Sequence, residues 1–149
     1  MYIMNKFYGP DGNLEVWEVP PEGYITVEQW QKLHHEISLP ELKIRKKQEI
    51  ATARYEAEIA GVNGIRTDRE SQSLITGAAL KASMDSTYSC RWKTEAGFVT
   101  LTAAQIIAVA DAVRAHVQGC FDREADLCEL IDASKNEADL QNINWSEVA

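Results

Sequence analysis

The sequence lacks the features that mark membrane-spanning, exported and disulfide-bonded proteins. No apolar run approaches the roughly 20 residues of a transmembrane helix, and the first residues do not follow the basic, apolar and small-residue order of a signal peptide. The three cysteines, Cys90, Cys120 and Cys128, are odd in number and far apart, so we expect reduced, largely buried thiols. These absences predict a protein that is cytosolic when synthesised and does not bind a membrane.

Basic residues are also in short supply. The 149-residue chain carries 15 Lys and Arg against 23 Asp and Glu, which gives a formal net charge of -8. Because this charge repels polyanions on average, nucleic-acid binding is disfavoured. A basic run at positions 43 to 47 is flanked by glutamates, and it predicts the exposed side of a salt-bridged helix rather than a phosphate-binding patch.

Helix start signals, in contrast, recur along the chain. In a capping box, a Ser or Thr hydroxyl accepts from the amide three residues later, and a Glu or Gln there accepts from the first residue's amide. This spacing predicts N-caps at Thr26, Ser38, Thr67 and Thr102. The caps predict a short helix after residue 26, a long helix that ends before Gly61, a third helix after the charged stretch 67–70, and a helix of about 30 residues after residue 102.

Turn residues and strand-like alternation predict two short β-hairpins, one over 2–19 and one over 88–101. Asn63-Gly64 adds a type I′ turn signal with little strand on either side. We therefore predict an α+β fold that is mainly helical, with long amphipathic helices. Its regions are an N-terminal hairpin and short helix (1–37), a helical and hairpin domain (38–134) and a polar C-terminal tail (135–149) that is loose except where Trp145 docks.

Helical and strand periodicity also selects a predicted core. It comprises Ile44, Ala51, Tyr55, Ile59, Leu74, Ile75, Leu80, Trp92, Phe98, Leu101, Ile106, Val113, Val117, Phe121 and Ile131. In the last long helix, positions from Ile106 to Ile131 step by four and three, and Glu124 alone is polar. This coiled-coil-like seam packs either inside its own chain, the interpretation that we favour, or against another copy in a dimer or trimer.

Two patterns bear on metal binding and catalysis. His34 and His35 are adjacent and point about 100° apart on a helix, whereas zinc ligands on one helix stand four positions apart, so we predict neither a metal nor a cofactor. Asp122, Asp126 and Glu129 share one helix face and offer the carboxylates that glycoside hydrolysis requires. The same spacing describes any solvated stripe, and we therefore predict that the chain is not an enzyme.

Two arginines and three tryptophans are candidates for contact with a partner protein. Arg69 stands beside a predicted cap and Arg91 in a predicted hairpin; for both, the interpretation that we favour is a structural bridge to a carboxylate, near Glu70 or at Glu95. Exposed tryptophans are favoured interface anchors, although tryptophans are equally at home in a core. The three tryptophan candidates are Trp17, Trp30 and Trp145.

Several stretches resemble a domain of unknown function that is common in tailed-bacteriophage proteins, over about residues 42–133. The most specific are Thr67-Asp68-Arg69-Glu70-Ser71-Gln72, Trp92-Lys93-Thr94, Gly97-Phe98-Val99-Thr100-Leu101 and Cys120-Phe121-Asp122-Arg123-Glu124. The stretch PPEGYITVEQWQKL, residues 20–33, is similar to a proline-rich turn and Trp-containing helix near the start of phage tail-fibre assembly proteins. The sequence departs from the phage domain at one turn. In the phage domain this turn is flanked by longer strands, whereas little strand flanks Asn63-Gly64 here.

The resemblance implies a non-enzymatic tail-fibre-associated protein, either an assembly chaperone or an attachment piece, with no catalytic residues to carry over. Its partner would be a tail fibre or another virion protein, and a trimeric fibre would suit an oligomer of matching stoichiometry. It would act in the host cytoplasm during assembly, with retention in the virion as a further expectation. The alternatives are a permanent component of the baseplate, tail tip or head surface, and a polysaccharide hydrolase that uses the Asp122 stripe.

Overall fold

The computed structural model describes residues 4–34 and 36–147. The chain forms two compact units, one that ends at Ser38 and one that begins at Leu39. The structure is 57% helical and 17% strand, which confirms the predicted α+β, mainly helical class. No helix in the described ranges combines the length and the apolar composition that crossing a membrane requires.

The first unit is a small antiparallel sheet followed by a helix. The strands are β1 (Asn5–Tyr8), β2 (Leu14–Trp17) and β3 (Ile25–Thr26), in the order β2-β1-β3, and the helix is α1 (Val27–Leu33). The predicted hairpin is present, with Asn5 opposite Trp17 and Tyr8 opposite Leu14. The short third strand, which the sequence did not indicate, ends at the residue that caps α1.

The second unit contains four helices, a hairpin and a short 3-10 turn within its described part. In chain order they are α2 (Leu39–Glu58), α3 (Arg69–Met84), β4 (Ser89–Thr94), β5 (Gly97–Thr102), α4 (Ala103–Ala133), α5 (Glu137–Gln141) and the 3-10 turn (Trp145–Glu147). Helix α4 is the central element, since both α2 and α3 pack against it. Lys43 contacts Asp132 and Arg54 contacts Glu124, so α2 runs antiparallel to α4.

The predicted capping boxes at Thr26 and Thr102 are both formed. Each hydroxyl accepts from the amide of the glutamine three residues later, Gln29 at 3.1 Å and Gln105 at 3.3 Å. Each glutamine side chain accepts from the threonine amide in return, at 2.9 Å. Helix α2 begins directly after Ser38, the position at which the second of the four caps was predicted.

The seam of α4 is buried inside the chain. Its buried residues are Ala103, Ile106, Val113, Val117, Cys120, Leu127 and Ile131. Two clusters form along it: a first cluster with Ile75 and Ala82 of α3, and a second cluster with Ile50 of α2 and Leu140 of α5. The favoured interpretation of the seam is therefore confirmed, because α2 and α3 cover it.

Much of the predicted core is wrong. Five predicted residues are buried (Ile75, Ile106, Val113, Val117 and Ile131) and three are half-buried (Ala51, Trp92 and Leu101). The remaining seven are exposed: Ile44, Tyr55, Ile59, Leu74, Leu80, Phe98 and Phe121.

The error on α2 is one of rotation about the helix axis. Ile44 is 58% exposed, whereas Ile50, which is separated from it by about 120° around the helix axis, is 1% exposed. The inward face is completed by the stems of lysines and by Arg54, which cover apolar surface although their heads are charged. A stripe selected by apolar identity therefore pointed outward.

The C-terminal tail is not loose. Asn136 caps α5 by accepting from the amide of Asp139 at 2.9 Å, and Leu140 is buried in the second cluster. Ile143 and Trp145 also pack against that cluster. Three apolar side chains at suitable spacing thus hold the end of the described chain on α2 and α4, in spite of the polar composition around them.

The Asn63-Gly64 turn has the predicted conformation. Asn63 has φ 50° and Gly64 has φ 76°, the two positive values that a type I′ turn requires. Val62 and Ile65 exchange both backbone hydrogen bonds, at 3.0 and 2.9 Å, in a single bridge. The turn therefore links the end of α2 to the start of α3 over a short distance.

Candidate functional site

The charged stretch Thr67–Glu70 starts a helix, as predicted, but with a different cap. The N-cap of α3 is Asp68, whose carboxylate accepts from the amide of Ser71 at 3.0 Å. The prediction of Thr67 as the cap is wrong, because its hydroxyl is used elsewhere. The hydrogen bonds from Ser71 to the carboxylate lower the pKa of Asp68 below its ordinary value.

Thr67 fastens the end of α2 instead. Its side chain is completely buried, its hydroxyl accepts from the amide of Gly61 at 2.9 Å, and it donates to the carbonyl oxygen of Glu58. These bonds satisfy backbone groups that the end of a helix leaves without intrahelical partners. Thr67 and Asp68 therefore secure the two helix ends that meet at this point.

A buried carboxylate joins the helices here. Glu58 is 2% exposed; Arg54 donates to one of its oxygens, Gln72 donates to the other at 3.1 Å, and Arg69 lies 3.6 Å away. Arg54 also donates to Glu124 of α4 at 2.9 Å. We call these five residues the Glu58 network.

The surroundings of Glu58 favour the ionised form of its carboxyl group. Burial by itself raises the pKa of Glu58, but the hydrogen bond from Gln72 and the charges of Arg69 and Arg54 outweigh burial, so the pKa lies below its ordinary value. Every member has a partner within the network, and among its four charged side chains only that of Arg69 is mainly exposed. The specific motif Thr67–Gln72 is therefore chiefly a structural fastening.

The predicted contact tryptophans pack within their own units. Trp30 stacks on the ring of Tyr8 at 4.2 Å, and Trp17 donates to Glu15 at 3.1 Å. The guanidinium of Arg123 lies 4.9 Å from the ring centroid of Trp145. All three tryptophans are half-buried, so their rings are already largely occupied by neighbours.

A cleft of about 520 Å³ lies between the start of α3 and the second hairpin. The α3 side contributes Arg66, Ser71 and Leu74. The hairpin side contributes the five consecutive residues 91–95 together with Phe98. We call it the β4 cleft, since one strand supplies most of its wall.

The β4 cleft has an apolar surface that the sequence assigned to the core. Leu74 is 60% exposed and Phe98 is 70% exposed, while Trp92 between them is half-buried against the first cluster. Phe98 is exposed because it pairs with Lys93 across the hairpin and so shares that residue's outward face. Trp92 points to the opposite face, as its alternation with Lys93 predicts.

The β4 cleft also collects positive charge in an acidic protein. The side chains of Arg91 and Lys93 have no hydrogen-bond or ion-pair partner among residues 4–34 and 36–147. The expected bridge from the Arg91 side chain to Glu95 is therefore not formed. Arg66 pairs with Asp68 at 3.2 Å but is itself largely exposed. Arg91 is thus the one predicted contact residue that lines the β4 cleft, since Arg69 belongs to the Glu58 network.

The sequence held a signal for the β4 cleft. Strand alternation put Arg91 and Lys93 on one face of β4, and the register of a hairpin turning at Glu95 and Ala96 puts Phe98 beside Lys93. Two cations beside an aromatic ring on the outer face of a two-stranded sheet indicate a surface rather than a core.

The other candidate sites have structural surroundings. His34 is exposed and contacts the carbonyl oxygen of Trp30 at 2.9 Å, and His35 lies outside the described residues. His116 contacts the carbonyl oxygen of Ala57. No group of three His, Cys, Asp or Glu side chains suited to a metal ion occurs in the described part of the chain.

The carboxylate stripe is exposed along α4. Asp122 accepts from Gln118 at 2.7 Å, and Gln118 in turn accepts from Arg114 at 3.1 Å, a ladder along one turn-to-turn row of the helix. Asp126 and Glu129 are exposed as well. This arrangement is that of a solvated helix face.

The basic run at 43–47 lies mainly on the inward side of α2, so the prediction of an exposed side is wrong for its lysines. Lys43 donates to the carbonyl oxygen of Asp132 at 2.8 Å, and Lys47 pairs with the Asp132 carboxylate at 2.7 Å. Lys46 pairs with Glu49, and only Arg45 is exposed among the four cations. Lys43 and Lys47 therefore tie α2 to the end of α4, where Asp132 lies, whereas the ion pair of Lys46 stays within α2.

Comparison with known protein families matches residues 41–144 to the family described as Domain of unknown function (DUF4376). A search of curated proteins and a search of solved structures each found no match. The matched segment runs from the first turn of α2 past the end of α5, so it contains the Glu58 network, the β4 cleft and both clusters along α4. It covers more than two thirds of the 149 residues, and this protein therefore belongs to the DUF4376 family.

Proposed function

We propose that this protein is a non-enzymatic tail-fibre-associated protein of a tailed bacteriophage, which acts by binding a fibre protein as an assembly chaperone or attachment piece. The sequence resemblance of residues 20–33 and 42–133 to phage segments supports this proposal. The family match by itself assigns no function, so the proposal depends on that resemblance and on the surface of the second unit.

The observation that carries the proposal is the β4 cleft. Its walls are built from Trp92-Lys93-Thr94 and Phe98, which belong to the motifs of the phage resemblance, whereas the Thr67–Gln72 motif is occupied by the Glu58 network. Exposed apolar side chains grouped around a depression are characteristic of surfaces that bind other proteins. The contact with the fibre is therefore assigned to the β4 cleft.

Co-expression with the tail-fibre protein of the same phage tests the proposal. We expect a complex that co-purifies, or an increased soluble yield of the fibre. Phe98→Ser should abolish the effect, while Met84→Ser should preserve it, because both side chains are at least 70% exposed but only Phe98 lines the cleft. If the fibre folds equally well alone and never co-purifies, the proposal is wrong.

Mass spectrometry of purified phage particles separates the two forms of the proposal. An assembly chaperone is abundant in the lysate and missing from particles. An attachment piece, or a permanent component of the baseplate, tail tip or head surface, is present in particles at a fixed copy number.

A further inference from the structure

Strand β4 has a free edge along the β4 cleft. The second sheet contains only β4 and β5 among the described residues, and the two-residue loop Glu95-Ala96 is closed by the pair Thr94 and Gly97. That pair exchanges both backbone hydrogen bonds, and in an antiparallel hairpin such pairs alternate with pairs that exchange none. The N–H and C=O groups of Arg91 and Lys93 therefore point away from β5.

No hydrogen bond from the described chain reaches these outward groups of Arg91 and Lys93. The cleft wall is made of residues 91–95 in succession, with Phe98 as the single contribution from β5, so the depression follows the β4 side of the hairpin. An exposed row of main-chain donors and acceptors is what an extended peptide needs in order to add a strand to a sheet.

We propose that the β4 cleft binds an extended segment of the partner protein as a third strand on β4, and that this segment alternates acidic with apolar side chains. The inference rests on the proposed function for the identity of the partner, but not for the mode of binding. Side chains on one face of the added strand lie beside Arg91 and Lys93, where carboxylates are favoured. Those on the other face lie beside Trp92 and Leu74, where apolar groups are favoured.

Charge also selects the partner over a second copy of this chain. If two copies paired their β4 edges about a two-fold axis, the outward-face cations Arg91 and Lys93 would lie opposite the same two residues of the other copy. Like charges directly opposite each other in a sheet are destabilising. The cations thus discourage self-pairing and attract an acidic strand, although the chain as a whole carries a net charge of -8.

The test uses a synthetic peptide of six residues that alternates glutamate with valine and has blocked ends. Titrated to about 1 mM into the full-length protein labelled with ¹⁵N, it should shift the amide resonances of residues 91–94 and of Leu74. One control peptide carries lysine in place of glutamate. A second control peptide carries N-methyl groups on alternate amides. Both should bind about tenfold more weakly, because each removes one of the two interactions that hold the strand.

A matched pair of double variants completes the test. Arg91→Glu with Lys93→Glu should weaken binding of the acidic peptide about tenfold, whereas Arg45→Glu with Lys135→Glu makes the same change in net charge at exposed positions outside the cleft and should leave it unchanged. The absence of shifts at 1 mM, or equal binding of the N-methylated peptide, overturns strand addition. Because this test needs no fibre protein, it can fail while co-purification with the fibre succeeds, and the reverse.

Discussion

The two halves of α4 present the same kind of apolar stripe and differ in what covers it. The second half, with Leu127 and Ile131, is covered by α2 and by the short helix α5. The first half, with Ile106 and Val113, is covered by α3 and the β4–β5 hairpin. The depression between α2 and α5 measures about 160 Å³, and the β4 cleft measures about 520 Å³.

This difference shows that one helix can have neighbours that are fully covered along one half and neighbours that stay exposed along the other. Where the chain returns after α4, Leu140 closes the second cluster, and a hydrogen bond from Lys43 and an ion pair of Lys47 tie α2 to Asp132. At the hairpin, Trp92 closes the first cluster, but Leu74 and Phe98 remain uncovered beside it. The half with the hairpin therefore keeps an apolar surface outside an already complete core.

The largest expected loss of stability tests whether the apolar stripe belongs to the core in both halves of α4. Ile106→Ala and Ile131→Ala should each lower the free energy of unfolding by about 4 kcal/mol, because each side chain is fully buried and leaves a cavity. Urea denaturation followed by circular dichroism measures it. Ile44→Ala, at an exposed site on α2, is the control and should cost less than about 0.5 kcal/mol. A loss below about 1 kcal/mol at either isoleucine would contradict the assignment of that half.

The Glu58 network joins α2, which covers the second half of α4, to α3, which covers the first half. Removing the carboxylate of Glu58 should lower the free energy of unfolding by about 3 kcal/mol. Glu58→Gln leaves Arg54 with Glu124 as its remaining acidic partner. The folded-state pKa of Glu58 is lowered, so its stabilisation is complete above the unfolded-state pKa of about 4.3 and is lost as the pH falls through the folded value. Between about pH 5 and pH 3, wild type should lose more stability than Glu58→Gln, as measured by urea denaturation. Parallel curves for the two proteins would refute this role.

A smaller loss of stability distinguishes Thr67, which fastens the end of α2, from Asp68, which caps α3. Thr67→Val leaves the amide of Gly61 and the carbonyl of Glu58 without their buried partner and should cost about 2 kcal/mol. Asp68→Ala removes an N-cap and should cost about 1 kcal/mol. Denaturation midpoints of the two variants test the order. An Asp68→Ala variant as stable as wild type would contradict the cap assigned to Asp68.

The smallest expected effect lies in the β4 cleft. Leu74→Ala and Phe98→Ala should each change the free energy of unfolding by less than about 0.5 kcal/mol, because both side chains are mainly exposed. The same urea measurement applies. A loss of several kcal/mol would mean that these residues belong to the core, as periodicity suggested, and would remove the contrast between the two halves.

Local signals in the sequence predicted the elements well. The boxes at Thr26 and Thr102, the turn at Asn63-Gly64 and the end of α2 near Gly61 depend on a few neighbouring residues whose chemistry has one favourable arrangement. The stripe of α4 was equally clear, because eight positions from Ile106 to Ile131 step by four and three and seven of them are apolar.

Faces that depend on a partner element could not be predicted in the same way. Helix α2 has apolar side chains on more than one side, and only contact with α4 decides that Ile50 rather than Ile44 is buried. Likewise, the use of Thr67 depends on the return of the chain through Gly61, which the capping pattern does not contain. The β4 cleft also needed tertiary structure, since α3 supplies one of its walls.

The antiparallel packing of α2 on α4 has a consequence for how the protein is made. Lys43 and Asp132 are separated by 89 residues, whereas the strands of the β4–β5 hairpin are adjacent in the chain. Contacts between distant residues form late, because their loop-closure entropy must be overcome first. During synthesis, α3, the hairpin and the start of α4 can pack together early. Helix α2 cannot complete its contacts until the end of α4 has left the ribosome. The inward face of α2 around Ile50 therefore stays uncovered until the end of α4 has been synthesised.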